Sequence, residues 1–209
     1  LVPLADFERL RAGQGTNGGG EPGAIWNGMP RQHSTVSRAG GVADEGGLYA
    51  LPESWTPEVT VYARADAVGY EALVAFAEHL KTEGYGKRRS AGYGAVRRAV
   101  IEPFAGFAPL HGTNGFVSLS NFIPAQADPT EGRWRVLTKR GKLGDEWAVG
   151  PNPFKRPLLF LEAGSCFLTS TPRPWYGRMI DGVAPGRPEV VQYALAYAVP
   201  MRLPEEGEQ

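Results

Sequence analysis

Between Gly69 and Leu80 the apolar residues Tyr70, Leu73, Val74, Ala77 and Leu80 recur at helical spacing, while Glu71, Glu78, His79 and Lys81 fall mostly elsewhere. That period predicts an amphipathic helix, and Gly84 ends it. Elsewhere the pattern is a period of two or no period. VTVYAR at 59–64 alternates and is β-branched, which predicts a strand, and AVRRAVIEPF at 95–104 predicts the next one. GFVSLSNFI (115–123), RWRVLTKRG (133–141), KRPLLFLEAGSCFLTS (155–170) and VVQYALAYAVPMRL (190–203) all read as strands. In the last of these, Val191, Tyr193, Leu195, Tyr197 and Val199 fall on one face and small alanines on the other. At the front, LVPLADFERL predicts an ordered segment and RAGQGTNGGGEPG a turn-rich linker or surface loop. RQHSTVSRAGGVADEGGLYAL (31–51) predicts a loop or open hairpin that feeds a short strand at Leu48 to Leu51.

Composition narrows the fold class. The chain has 209 residues, with 28 Gly and 18 Pro, which favours many turns and short elements over long helices. Together with one clear helix and several strands, this predicts an α+β protein. The length allows one large domain or two smaller ones. The Pro, Gly and aromatic residues of Phe104 to Gly115 mark a connection, so the expected division is 1–104 and 105–209.

Charge excludes a global field, because 22 basic side chains are balanced by 22 acidic ones. Any polyanion site must come from local asymmetry. One candidate lies at Lys81, Lys87, Arg88, Arg89, Arg97 and Arg98, opposed only by Glu83. A second contains Arg133, Arg135, Lys139, Arg140, Lys142, Lys155 and Arg156. Cys166 is the sole cysteine, which excludes an intrachain disulfide and a multi-cysteine zinc site. The apolar runs are too short to cross a bilayer as a helix, and the expected location is cytoplasmic. The chain starts at Leu1 without an initiator Met, which is read as the mark of a fragment.

The segment 84–94, GYGKRRSAGYG, joins the predicted helix to the predicted strand at 95–104. It fails as a Walker A loop, since no glycine lies five residues before Gly86 and Arg88 stands where a hydroxyl is required. It fails as a dinucleotide fingerprint, because Arg89 replaces the third glycine and the loop follows a helix. What remains is glycine backbone able to approach a polyanion, Lys87, Arg88 and Arg89 to neutralise phosphates, and Tyr85 and Tyr93 to stack on bases. That equipment suits single-stranded RNA; the plain alternative is a solvated basic turn.

A helix followed by GYGKRRSAGYG resembles the glycine-rich loop of the RAMP superfamily of CRISPR proteins. Within it the form is most similar to the fourth Csm subunit of type III-A effector complexes, the 5′-handle-binding group. RQHSTVSR followed by EGGLYAL, FVSLSNFIP, KRPLLFLEAGSCF and VVQYALAYAVPM agree in order, so the resemblance runs from about Arg31 to Met201. It implies two ferredoxin-like (RRM-like) βαββαβ domains, the first incomplete because its opening strand and helix are missing. It also implies a non-catalytic subunit that holds the 5′ handle of the CRISPR RNA, meets target RNA only indirectly, and contacts the large polymerase-domain subunit and a backbone RAMP subunit. The RNA-binding residues that follow are Gly84, Tyr85, Gly86, Lys87, Arg88, Arg89, Ser90, Gly92, Tyr93 and Gly94, helped by His33, Ser34, Ser37 and Arg38. No cofactor, metal or catalytic residue is implied. The equivalent subunit of Cmr-type complexes has similar segments.

His33 also supports a competing reading, since a related RAMP branch cleaves CRISPR RNA without metal and often uses a histidine as acid or base. In that case His33 is the base, and Lys87 or Arg88 stabilises the pentavalent phosphate. A third reading is a scaffold that meets only proteins. His79 and His111 read as exposed, Asp44, Glu45 and Asp181 as turn residues, Glu162 as a strand end, and Cys166 as a small core residue. In RWRVLTKRGK, a single strand would place Arg133, Arg135 and Lys139 on one face and bury Trp134 with Val136 on the other. RNA contact and an ion-paired protein interface are both open for that stripe.

Overall fold

The computed structural model describes residues 4–14, 27–36, 39–55, 58–86, 89 and 92–204. The protein is α+β, with antiparallel sheets and few helices. Two compact units divide it: Ala24–Gly106, and Phe107–Gln209 together with Leu1–Gly23. The break therefore falls at Gly106/Phe107, and the opening helix, expected in the first domain, belongs with the C-terminal half.

That half contains α1 (Leu4–Arg11) and the strands β3 (Gly115–Ser118), β4 (Gly132–Arg133), β5 (Val136–Lys139), β6 (Leu158–Leu161), β7 (Cys166–Leu168), β8 (Trp175–Gly177) and β9 (Leu195–Met201). Five of them form an antiparallel sheet in the order β4-β7-β3-β9-β8, and β5 pairs with β6. Within 107–204 there is a 3-10 turn at Asp145–Val149 but no α-helix, so the two helices of a βαββαβ unit are not formed there.

Both faces of the five-stranded sheet are covered. Register places Phe116 opposite Phe167 and Pro200, and Tyr176 opposite Ala196. Phe116, Phe167, Tyr176 and Ala196, with Phe122 and Ala198, make the first core, and Pro200 stays exposed. Phe116 and Tyr176 stack with ring centroids 3.9 Å apart and planes 5° from parallel, and the methyl side chains of Ala196 and Ala198 leave room for the rings beside them. On the other face Val117, Val199 and Met201 pack with Phe7, Phe107, Leu119, Cys166 and Leu203. The alanine side of β9 is thus as buried as its large-residue side. The alternation was legible, but not that both faces would be covered.

α1 closes the second face through Phe7, whose ring meets Phe107 edge-on at 5.3 Å. Arg11, buried, ends the helix. Its Nε donates to Glu8 at 2.6 Å, its guanidinium also reaches the Ala108 carbonyl, and its own carbonyl accepts from Arg202 N–H at 2.7 Å. A buried guanidinium requires such a full set of acceptors. Asp128 is the acidic counterpart: its carboxylate accepts from Ala125 N–H, Gly177 N–H and Arg173.

The unit Ala24–Gly106 contains the hairpin β1 (Asn27–Val36) and β2 (Ala43–Trp55), followed by α2 (Ala67–Glu83). α2 starts two residues before the periodicity does, because the Asp66 carboxylate accepts from Gly69 N–H at 2.8 Å and caps the first turn. Residues 31–36, expected in a loop or open hairpin, are strand throughout, with His33 opposite Tyr49 and Arg31 opposite Leu51. A two-stranded ribbon leaves both faces accessible, so it needs no hydrophobic alternation. The strands expected at 59–64 and 95–104 are not formed, although Tyr62 and Phe104 touch with ring centroids 4.7 Å apart. Alternation favours an extended chain, but a strand also needs a neighbouring backbone in register. No side chain of α2 is fully buried; Leu73, Ala77 and Leu80 are half-buried.

Candidate functional site

The glycine loop begins where α2 stops. Gly84 adopts φ +72° and its N–H donates to Leu80 O at 2.9 Å. The next residue then meets the far end of the loop: Tyr85 N–H donates to the Gly94 carbonyl at 2.8 Å. This is a narrow neck. A Cβ on Gly84 would lie 2.7 Å from Gly94 O, and one on Gly94, at φ +68°, would overlap the Tyr85 carbonyl oxygen. Only glycine fits at either position. Gly86 and Gly92 also have positive φ, but a Cβ on either would meet nothing within 4 Å. The outer pair therefore closes the loop, and the inner pair shapes its open rim, where Gly92 N–H donates to Arg89 O at 2.9 Å.

On the rim Tyr85 is 70% exposed, and the Arg89 guanidinium stands 3.9 Å from Glu83. At that distance and exposure the ion pair holds Arg89 only weakly. Lys87, Arg88 and Ser90 lie outside the described residues, as do Ser37 and Arg38.

Tyr93 is positioned differently from Tyr85. Hairpin register puts Arg31, His33, Tyr49 and Glu53 on one face of the β1–β2 ribbon, since 29, 31 and 33 pair with 53, 51 and 49. Tyr93 reaches this face. Its hydroxyl donates to Glu53 Oε1 and lies 2.8 Å from His33 Nε2, which is 3.3 Å from the same carboxylate oxygen. The Arg31 guanidinium stands 3.5 Å from Glu53 Oε2, and Tyr49 stacks on the His33 ring at 5.5 Å and 16°. If Tyr93 donates to Glu53, His33 has to present Nε2–H to the phenolic oxygen, so the chain runs His33 to Tyr93 to Glu53. The Tyr93 hydrogen bond, helped by His33 and Arg31 and opposed by desolvation, holds the Glu53 carboxyl below its ordinary value.

The structure thus brings His33 and Tyr93 together, two residues that the sequence placed in separate segments. The Tyr93 hydroxyl is engaged by Glu53 and His33, whereas the Tyr85 ring stands exposed. Ser34 alternates to the opposite face of the ribbon, opposite Leu48, and does not join the cluster. Glu53 and Tyr49 were missed: nothing in LPESW singles out Glu53 until the hairpin register is known.

The second basic segment is not one strand. It breaks after Arg133, so that β4 pairs with β7 and β5 with β6. Trp134, expected to be buried, sits at the break and is 52% exposed. Arg135 stands 3.4 Å from Glu162, and the Lys139 ammonium lies over the Phe160 ring at 5.2 Å. Cys166 packs in the second core and donates to Gly164 O at 3.3 Å; burial pushes its thiol up, against the pull of Arg133. A thiol held protonated is a poor nucleophile. No group of side chains that could hold a metal occurs among the described residues.

No family model matches the chain, and no curated protein matches it either.

Proposed function

We propose that the chain is a non-catalytic, RNA-binding subunit of a type III CRISPR ribonucleoprotein that holds the 5′ handle of the CRISPR RNA. The observation that carries this reading is the neck-closed glycine loop, whose rim offers Tyr85 for base stacking and Arg89 for phosphate while Gly86 and Gly92 keep the backbone approachable. Backbone N–H groups and a weakly paired arginine suit a sugar-phosphate chain better than a base edge. The partners of this reading are the large polymerase-domain subunit and a backbone RAMP subunit, and its location is the cytoplasm. No helix among the described residues is long and apolar enough to cross a membrane. The finer fold that goes with it is a pair of ferredoxin-like domains. The antiparallel sheets support that fold, and the stretch 107–204, which has no α-helix, departs from it.

The test is binding to a randomised pool of labelled single-stranded RNAs over a range of salt. Changing Lys87, Arg88 and Arg89 together to Ala is expected to weaken binding and flatten the salt slope by about two units, at about 0.7 per single-strand contact. Unaltered affinity and slope overturn the reading. A second reading, a metal-independent RAMP endoribonuclease, is favoured by one observation, the hydrogen-bonded His33–Tyr93–Glu53 chain. Cleavage of repeat RNA in the presence of a chelator, lost in His33→Ala, would establish it.

A further inference from the structure

The loop and the hairpin face meet at Tyr93. Tyr93 stands next to Gly94, the residue whose carbonyl closes the neck, and its hydroxyl is held by Glu53 and His33 of the hairpin. Glu53 is itself held from its other oxygen by Arg31. Four residues from two strands and one loop thus fix the orientation of the loop's second arm, while Tyr85 on the first arm remains 70% exposed. A glycine-rich loop has unusually large backbone freedom, and RNA binding by a mobile loop would carry the cost of ordering it.

We infer that Glu53 is a positioning residue: it latches the neck of the glycine loop to the β1–β2 hairpin through Tyr93, and so presents Tyr85 to RNA in a preformed arrangement. Glu53 does not touch the RNA and contributes no charge attraction to it. Its negative charge would oppose a phosphate directly, so any gain in affinity from Glu53 has to come through the loop. The inference rests on the RNA-binding reading for its consequence, but the latch itself can be measured without RNA.

Amide hydrogen exchange in the full chain reads the neck at Tyr85, whose N–H is bonded to Gly94. In Glu53→Ala and in Tyr93→Phe this amide is expected to exchange about tenfold faster, the low end for losing a hydrogen bond to a charged group. Because both changes remove the same contact, the double variant should exchange little faster than either single one. Amides in the middle of α2, such as Ala77, should keep their rates, which separates a loosened latch from a destabilised unit. Affinity for the randomised RNA pool should fall by no more than this factor, with the salt slope unchanged, whereas Arg89→Ala reduces the slope. Unchanged exchange at Tyr85 in both single variants overturns the latch. Faster exchange with unaltered RNA affinity overturns Glu53 as a positioning residue for RNA. If the wild-type chain binds no RNA, the proposed function fails, and exchange still decides the latch.

Discussion

Gly94→Ala probes the neck of the glycine loop most directly. Gly94 has φ +68°, a conformation that costs an L-residue about 1–2 kcal/mol. The added methyl would also overlap the Tyr85 carbonyl oxygen, so the two arms have to part and the Tyr85 N–H loses its acceptor on Gly94. That hydrogen bond contributes about 1 kcal/mol net. Together the closed neck loses about 2–3 kcal/mol, a factor of about 30–150 in its opening equilibrium. The control is Gly86→Ala, where φ is +90° but no atom lies within 4 Å of the new Cβ. It incurs the conformational cost and leaves the neck intact. Amide exchange at Tyr85 separates the two: protection should collapse in Gly94→Ala and persist in Gly86→Ala. Equal protection at Tyr85 in the two variants would refute the claim that steric contact at the neck is what requires glycine at 94.

Three further outcomes are expected. Ala198→Leu pushes branched carbon into the core beside the stacked Phe116 and Tyr176; overpacking of this kind costs about 1–3 kcal/mol, and thermal unfolding should show a midpoint lower by roughly 2–10 °C. Arg11→Ala removes a buried guanidinium from Glu8 and the Ala108 carbonyl, and urea unfolding should register a loss of about 2–4 kcal/mol, while the backbone hydrogen bond from Arg202 to residue 11 is retained. The pH dependence follows from Glu53, whose folded carboxyl titrates below its ordinary value. The stability it adds is therefore present above the unfolded carboxyl range and is lost as pH falls through the lowered folded value. Urea midpoints followed downward through the acid range should show this loss in the wild type and a smaller one in Glu53→Gln; identical profiles would exclude Glu53 as the source.

Local periodicity carried part of the fold. The helix from 67 to 83 was legible because a period of 3.6 residues is a property of the segment itself, and its stop at Gly84 was legible because a positive φ calls for glycine. β9 was legible from its alternation, and the glycine loop from its composition. The segments 59–64 and 95–104 carry a similar pattern and form no strand, while 31–36 carries none and does. Strand pairing depends on a partner backbone elsewhere in the chain, and nothing inside six residues encodes where that partner lies.

The candidate site divides along the same line. Sequence alone determined that the chain is α+β, that a basic glycine loop follows its helix, and that Gly84, Tyr85, Gly86, Arg89, Gly92, Tyr93 and Gly94 belong to one local feature. Tertiary structure decided what those residues do: which glycines close the neck, which tyrosine is held and which is open, and that Glu53 meets Tyr93 across 40 residues of chain. The reason is that residues close in sequence share a loop whatever the fold. Residues far apart share a site only through hairpin register, and a shift of one residue would turn Glu53 to the other face.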